Sequence, residues 1–189
     1  MNADPTCATA SSVEGHGAQL APSPTVRPAR TDEHVTVGRI TVGAYAADGF
    51  LGEDDPYAAQ LADVTDRAGQ AEVWVAELGG AVVGTVTWCP RGSPYRELAG
   101  RDDQAEFRML AVDPTLRRRG VARSLVDACL ARARADGARE VVLNSLPQMF
   151  DAHRLYAAYG FIRAPELDRV LHAARDGDDV TLWGFRLPL

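Results

Sequence analysis

The sequence contains no lysine, and all 20 of its basic residues are arginine. Without a lysine amine the chain cannot form a Schiff base with a carbonyl substrate, and it cannot build the lysine-dependent phosphate loop of nucleotide hydrolases. Acidic residues outnumber the basic ones, at 26 to 20, and the net charge is -6. This balance argues against a protein that coats nucleic acid or an anionic membrane, so any basic site has to be local.

Cysteine, histidine and long hydrophobic runs are also scarce. The three cysteines (Cys7, Cys89 and Cys129) lie far apart, and the four histidines lack the spacing of a helical metal motif. These patterns predict neither a disulfide framework nor a metal site. No apolar run approaches the roughly 18 residues that a transmembrane helix needs, and the N-terminus lacks the apolar segment of a signal peptide. We therefore expect a cytoplasmic protein with no membrane partner.

The first 22 residues differ in composition from the rest of the chain. They are rich in Ala, Ser, Gly and Pro and show no hydrophobic periodicity. Such a segment cannot bury enough apolar surface to offset the entropy lost on ordering. We predict a disordered tail over 1–22 and one domain over 23–189, a length that suits a single full core.

Hydrophobic periodicity predicts an α/β (α+β) fold, with a mixed central sheet flanked by helices. Asp32 is the predicted N-cap of the first helix, and Pro56 the first residue of the second. Strands alternate with helices in the second half of the chain, which predicts parallel pairing there. Predicted strands lie at 25–30, on both sides of Gly79-Gly80 within 72–88, and at 105–112, 139–144, 160–164 and 179–187; predicted helices lie at 33–48, 56–68, 121–137 and 147–159.

Positive charge is concentrated in one stretch, Met109–Val126, which reads MLAVDPTLRRRGVARSLV. A strand leads there through a turn at Gly120 into a helix, and the first N–H groups of a helix are free to bind anions. Gly120 and Ala122 would let a phosphate approach the backbone, and the nearby arginines would attract it. From charge alone, a solvent-exposed arginine face is an equal alternative. No aromatic residue interleaves the arginines, which disfavours nucleic-acid binding.

Two segments resemble a known family. Arg117, Gly120 and Ala122 match the signature Gln/Arg-x-x-Gly-x-Gly/Ala of the GNAT superfamily of acetyl-CoA-dependent N-acetyltransferases. The segment Ala152–Phe161, AHRLYAAYGF, is similar to the family's Leu-Tyr-x-x-x-Gly-Phe segment. The resemblance runs from Thr25 onward and implies the GNAT fold, acetyl-CoA as cosubstrate and a small-molecule or peptide amine as acceptor. It also allows a homodimer, without locating an interface.

The resemblance assigns residues to the cosubstrate. The backbone of Leu110–Val112 would pair with the pantetheine arm, and Arg118–Arg123 would contact the pyrophosphate. Many members carry an asparagine where this chain has Met149. The residues expected to bind acetyl-CoA are Leu110, Ala111, Val112, Arg117, Arg118, Arg119, Gly120, Val121, Ala122 and Arg123.

Acetyl transfer to an amine needs a base for the amine, donors for the developing oxyanion and a proton for the departing thiolate. The resemblance points to Glu106 as the base and Tyr156 as the acid, with a backbone N–H near Leu110 or Ala111 facing the oxyanion. Alternatives stay open: Glu106 as an exposed strand residue, Tyr156 as a core aromatic, and His153 as the acid. A non-catalytic acyl-CoA-binding module is the competing function.

Overall fold

The structure is a computed structural model that describes residues 23–52, 55–171 and 179–189. The tail predicted over 1–22 lies outside the described residues. Within these ranges no helix has the length and apolar character to cross a membrane. Nor does any cluster of three or more His, Cys, Asp or Glu side chains in the described ranges have the arrangement of a metal site.

Strands alternate with helices over 104–163, as predicted for the second half of the chain, whereas the first half has three successive helices and one β-hairpin. The strands are β1 (Thr25–Pro28), β2 (Glu72–Leu78), β3 (Ala81–Cys89), β4 (Gln104–Val112), β5 (Glu140–Ser145), β6 (Ile162–Arg163), β7 (Arg169–Leu171) and β8 (Val180–Pro188). The helices are α1 (His34–Ala47), α2 (Pro56–Ala62), α3 (Val64–Gln70), α4 (Val121–Ala135) and α5 (Phe150–Tyr159). Short 3-10 turns span Thr31–Glu33, Pro114–Leu116 and Pro165–Leu167.

The strands form one mixed sheet in the order β1-β2-β3-β4-β5-β8-β6, with β7 paired to β8. This confirms the predicted mixed sheet with flanking helices. Parallel pairing is confined to β4 and β5, because β8 returns antiparallel between β5 and β6. The expectation of parallel pairing throughout the second half was therefore wrong beyond that pair. Strand β7 was not predicted, since three residues are too few to show a period.

Three helix boundaries differ from the prediction. Asp32 is not an N-cap, because the 3-10 turn Thr31–Glu33 precedes α1 and Glu33 takes the capping position. The single helix predicted over 56–68 is two helices, because the chain breaks at Asp63, whose carboxylate accepts the Asp66 N–H at 3.0 Å and starts α3. Helix α5 begins at Phe150, three residues later than predicted.

The sheet carries a hydrophobic core on each face. Helices α4 and α5 cover one face, where Trp74 and Trp88 stack with ring centroids 5.7 Å apart and Phe107 packs against Tyr156. Helices α1 to α3 cover the other face, where Met109 belongs to a smaller buried cluster. Each buried large side chain stabilises the fold by about 1.5–3 kcal/mol, so the sheet between these layers is a rigid support for a site.

Candidate active site

The two parallel strands at the centre of the sheet separate partway along their length. Strands β4 and β5 pair only from Gln104–Glu140 to Glu106–Val142, although both continue beyond that point. A cleft of 60 Å³ opens where they part, lined by residues of β4, β5 and α5 together with Tyr45 of α1. The inner edges of both strands lack a strand partner there, and a strand edge of this kind can pair with an extended ligand.

A β-bulge shapes the β4 wall of the cleft. Met109 and Leu110 together oppose one residue of β3, because the register shifts between Thr85 and Thr87. Met109 has a φ of 52°, in the left-handed region that a non-glycine side chain rarely adopts. Bulges bend a strand and redirect its backbone groups, and strained residues of this kind cluster at functional sites. Nothing in the local sequence marks this position, so the sequence analysis missed it.

Helix α4 starts with an uncapped N-terminus at the end of the turn that follows β4. Its N-cap, Gly120, has a φ of 79° and contributes no side-chain hydrogen bond. A Cβ atom built on Gly120 would have no heavy atom within 4 Å. The N–H groups of the first helical turn are therefore accessible to an anion, and they carry the positive end of the helix dipole. This is the local geometry predicted from the sequence.

The arginines of this turn divide into two groups. Arg117 forms a bidentate ion pair with Asp48, at 2.7 and 2.9 Å, and so ties the turn to the end of α1. Arg118 and Arg119 are exposed and form no ion pair within the described ranges. Arg123 is exposed too, and its guanidinium lies 5.5 Å from the ring centroid of Tyr159. Arg117 thus positions the turn, whereas the other three leave their charge available.

Glu106 lies at the last paired position of β4 and is buried, with 2% of its surface exposed. Its carboxylate accepts the N–H groups of Leu98 and Ala99 at 2.8 and 2.9 Å. Burial raises the pKa of Glu106 above its ordinary value of 4.5, although these two N–H groups act in the opposite direction. The alternative of an exposed strand glutamate does not hold. A buried carboxylate with a raised pKa can act as a general base, although Glu106 itself is not one of the residues that line the cleft.

Tyr156 lines the cleft from α5 and has 6% of its surface exposed. Its ring packs against Phe107 and Phe161, while its hydroxyl forms no hydrogen bond with any described residue. Burial raises the pKa of Tyr156, so the phenol stays protonated at neutral pH. Tyr156 is therefore a core aromatic that also lines the cleft.

One polar residue of the cleft, Ser145 at the end of β5, was not singled out from the sequence. Its buried hydroxyl has no hydrogen-bond partner among the described residues. Asn144 lines the cleft too, but its amide donates to the carbonyl of Leu167 at 3.1 Å. His153, the alternative acid, does not line the cleft, and its ring stacks on Trp183 with centroids 5.7 Å apart.

The chain is similar in sequence to curated N-acetyltransferases. The chain is 39% identical over 105 residues to N-acetyltransferase family 8 member 2 of Rattus norvegicus, an alignment that covers 54% of the chain and 45% of that relative. It is 38% identical over 88 residues to human N-acetyltransferase 8B, covering 47% of the chain and 37% of that relative. The chain thus spans less than half the length of the curated relatives it matches.

Two solved structures share the fold. One is yncA from Salmonella typhimurium, solved with its cofactor acetyl-CoA, with a TM-score of 0.63, 20% identity, and coverage of 88% of this chain and 94% of that one. The other is the ribosomal-protein-alanine N-acetyltransferase of Brucella melitensis, with a TM-score of 0.61, 20% identity, and coverage of 87% and 99%. The family model described as Acetyltransferase (GNAT) family matches residues 42–161, from within α1 to just after α5, a range that includes the turn at Gly120. Because this match takes in more than half of the chain, the protein belongs to the GNAT acetyltransferase family.

Proposed function

We propose that the protein binds acetyl-CoA in the cleft between β4 and β5 and transfers its acetyl group to a primary amine by direct attack. The observation that carries this proposal is the continuity of one element. Strand β4 forms the wall of the cleft and then leads, through the turn at Gly120, into the uncapped N-terminus of α4. An extended ligand arm that ends in a pyrophosphate needs a free strand edge for the arm, followed by a helix N-terminus for the pyrophosphate.

The fit of the cosubstrate rests on the backbone. The N–H groups of Val121–Arg123 would hold the pyrophosphate, and the open space over Gly120 admits it. The free inner edge of β4 at Leu110–Val112 would pair with the pantetheine arm. Arg118 and Arg119, exposed and without ion pairs to described residues, would attract the phosphates from solution.

Acetyl-CoA, when bound, supplies the acetyl group as a thioester. Glu106 accepts the proton that the amine must lose, directly or through water. For a lysine-like amine with a pKa of about 10.4, deprotonation at pH 7 costs about 5 kcal/mol, so a base is needed. Tyr156 donates a proton from its free hydroxyl to the leaving sulfur. A backbone N–H near Leu110 or Ala111, beside the bulge, would face the developing oxyanion.

Thermal melts with acetyl-CoA, with free CoA and with neither test the binding step. Ligand at a hundredfold over its Kd adds about 2.7 kcal/mol of stability, which moves the melting temperature by several degrees. Gly120→Glu places a side chain and a negative charge at the phosphate site and should abolish the shift. Gly137→Glu is the matched control, because Gly137 has a similar φ of 74° and open space around it at the other end of α4. A shift lost in both variants, or in neither, would contradict the assignment.

Release of free thiol from acetyl-CoA in the presence of amines tests the transfer step. Thiol release that depends on the amine supports the enzyme, and it should fall in Glu106→Gln and Tyr156→Phe. A melting shift without thiol release across a broad amine panel would instead identify a non-catalytic acyl-CoA-binding module.

A further inference from the structure

A buried arginine behind the cleft forms no ion pair with any described residue. Arg67, on α3, has 0% of its surface exposed. Its Nη1 atom donates to the carbonyl of Leu61 at 3.1 Å and contacts the sulfur of Met109 at 3.2 Å. Its Nε and Nη2 atoms are buried and have no hydrogen-bond partner among the described residues, and no described acidic side chain forms an ion pair with it. Buried polar groups are almost always paired, and an unpaired buried charge is strongly unfavourable.

The two unpartnered atoms form one edge of the guanidinium. The N–H bonds of Nε and Nη2 are parallel and match the two oxygens of a carboxylate. Elsewhere this chain supplies such carboxylates itself. Arg132 holds Glu72 through two bonds of 2.9 Å, and Arg117 holds Asp48 in the same way. Of these three arginines, Arg67 alone has a bidentate edge without a carboxylate partner among the described residues.

Arg67 lies one side chain away from the cleft. Met109, which touches its guanidinium, also lines the cleft, and so does Tyr45, one of three tyrosines that interact electrostatically with Arg67. Burial raises the pKa of Tyr45, so this tyrosine is neutral and supplies no compensating charge. Arg108 lines the cleft as well, but its guanidinium is paired with Glu97 at 2.5 Å.

The neighbours of the guanidinium are mainly aromatic and apolar. Tyr57 and Tyr95 interact electrostatically with it, as does the exposed carboxylate of Asp63 more weakly. Leu51 belongs to the hydrophobic cluster of Met109. The thioether of Met109 is flexible and adapts to a neighbouring ligand. Binding at Nε and Nη2 would break no hydrogen bond, because neither atom makes one.

We propose that the free edge of Arg67 binds a carboxylate of the acceptor, and that the acceptor is a small amino acid with an apolar side chain. This rests on the proposed function, since it names the substrate class of the same cleft. The amine of the acceptor faces the thioester while its carboxylate is held by Nε and Nη2 of Arg67. Arg67 is a substrate-binding residue in this assignment and takes no part in proton transfer.

The test compares kcat/KM for L-leucine and L-phenylalanine with kcat/KM for their amides, which keep the amine and lose the carboxylate. For the wild type we expect the acids to exceed the amides by about 100-fold, as for charge pairs buried in other complexes. Arg67→Met keeps the volume and removes the charge, so it should bring this ratio close to one by lowering kcat/KM for the acids. Arg67→Lys keeps the charge without the bidentate edge and should give an intermediate ratio. Arg132→Met is the control, since Arg132 is a paired arginine on α4, and it should keep the wild-type ratio.

The outcomes separate the two proposals. Amides used as well as acids, or an acid preference that survives in Arg67→Met, would overturn the carboxylate site and leave the acetyltransferase standing. If acetyl-CoA causes no melting shift and no amine is acetylated, the proposed function fails, and the carboxylate site is then judged by binding alone. N-acetyl-L-leucine should raise the melting temperature of the wild type and not of Arg67→Met, while N-acetyl-L-leucinamide should affect neither. Equal shifts would refute the site, and Arg67→Lys serves if Arg67→Met does not fold.

Discussion

The buried carboxylate of Glu33, at the start of α1, should make the free energy of unfolding depend on pH in acid. The Glu33 carboxylate is buried and accepts hydrogen bonds from the Arg27 guanidinium at 2.7 and 2.8 Å and from the Arg30 N–H at 2.8 Å. The hydrogen bonds from Arg27 are the main reason that the pKa of Glu33 falls from 4.5 to about 2. A difference of this size corresponds to about 3 kcal/mol of folding free energy at neutral pH.

The sign follows from the direction of the shift. The carboxyl binds its proton more weakly in the folded state, so its contribution is fully present above pH 4.5 and is lost as the pH falls toward 2. Glu33→Gln should therefore lower the free energy of unfolding by about 3 kcal/mol at pH 7 and by little at pH 2. Urea denaturation at several pH values measures both.

The control is Asp151→Asn. Asp151 pairs with Arg154 at 3.1 Å, but its side chain is 88% exposed. An exposed pair of this kind contributes about 0–1 kcal/mol, so its loss should leave the urea midpoint nearly unchanged. The reasoning would be refuted if Glu33→Gln cost the same at pH 2 as at pH 7, or no more than Asp151→Asn at neutral pH.

Three further predictions concern catalysis and packing. Glu106→Gln should lower kcat/KM at pH 7 by about 100-fold or more and remove the acidic limb of the pH–rate profile. In the wild type this limb lies above pH 4.5, because burial raises the pKa of Glu106. An acidic limb that persists in the variant would exclude Glu106 as the base. Tyr156→Phe should lower kcat by about 100-fold and leave the acetyl-CoA melting shift intact, since the hydroxyl has no partner in the described fold. Loss of the melting shift would point to a structural role. Gly184→Ala should destabilise the protein by about 1–3 kcal/mol, since the new Cβ would lie 2.4 Å from the Cβ of Leu167. Gly43→Ala, on a helix with open space around it, should instead stabilise the protein by about 0.5–1 kcal/mol. Equal melting temperatures of the two variants would contradict the close packing at Gly184.

Local chemistry explains the parts of the fold that could be predicted. Gly79-Gly80 forms the predicted hairpin turn with both φ angles positive, and Pro56 starts its helix. The strand, turn and helix around Gly120 were predicted from residues within one short segment. In each case the decisive residues are neighbours in sequence, so the pattern carries the information.

The remaining features depend on contacts between distant parts of the chain. The partner of Arg117 lies 69 positions away, at Asp48, and the burial of Arg67 depends on its contact with Met109, 42 positions away. The bulge at Met109 has no local marker, because methionine has no preference for a positive φ. The homodimer, the cytoplasmic location and the roles of Glu106 and Tyr156 stay predictions.

The ion pair between Arg117 and Asp48 ties the end of α1 to the turn that we propose to bind phosphate. Helix α1 carries Tyr45, which forms part of the cleft wall. A ligand that binds the turn would therefore also stabilise the position of that wall, through the ion pair. Such heterotropic linkage is reciprocal: whatever affinity one ligand gains from the other is returned by the same factor. The connection consists of two charges that are about one-third exposed, at 35% and 37%. Salt screens exposed charges, so rising ionic strength would uncouple the two ligands before it weakened the fold.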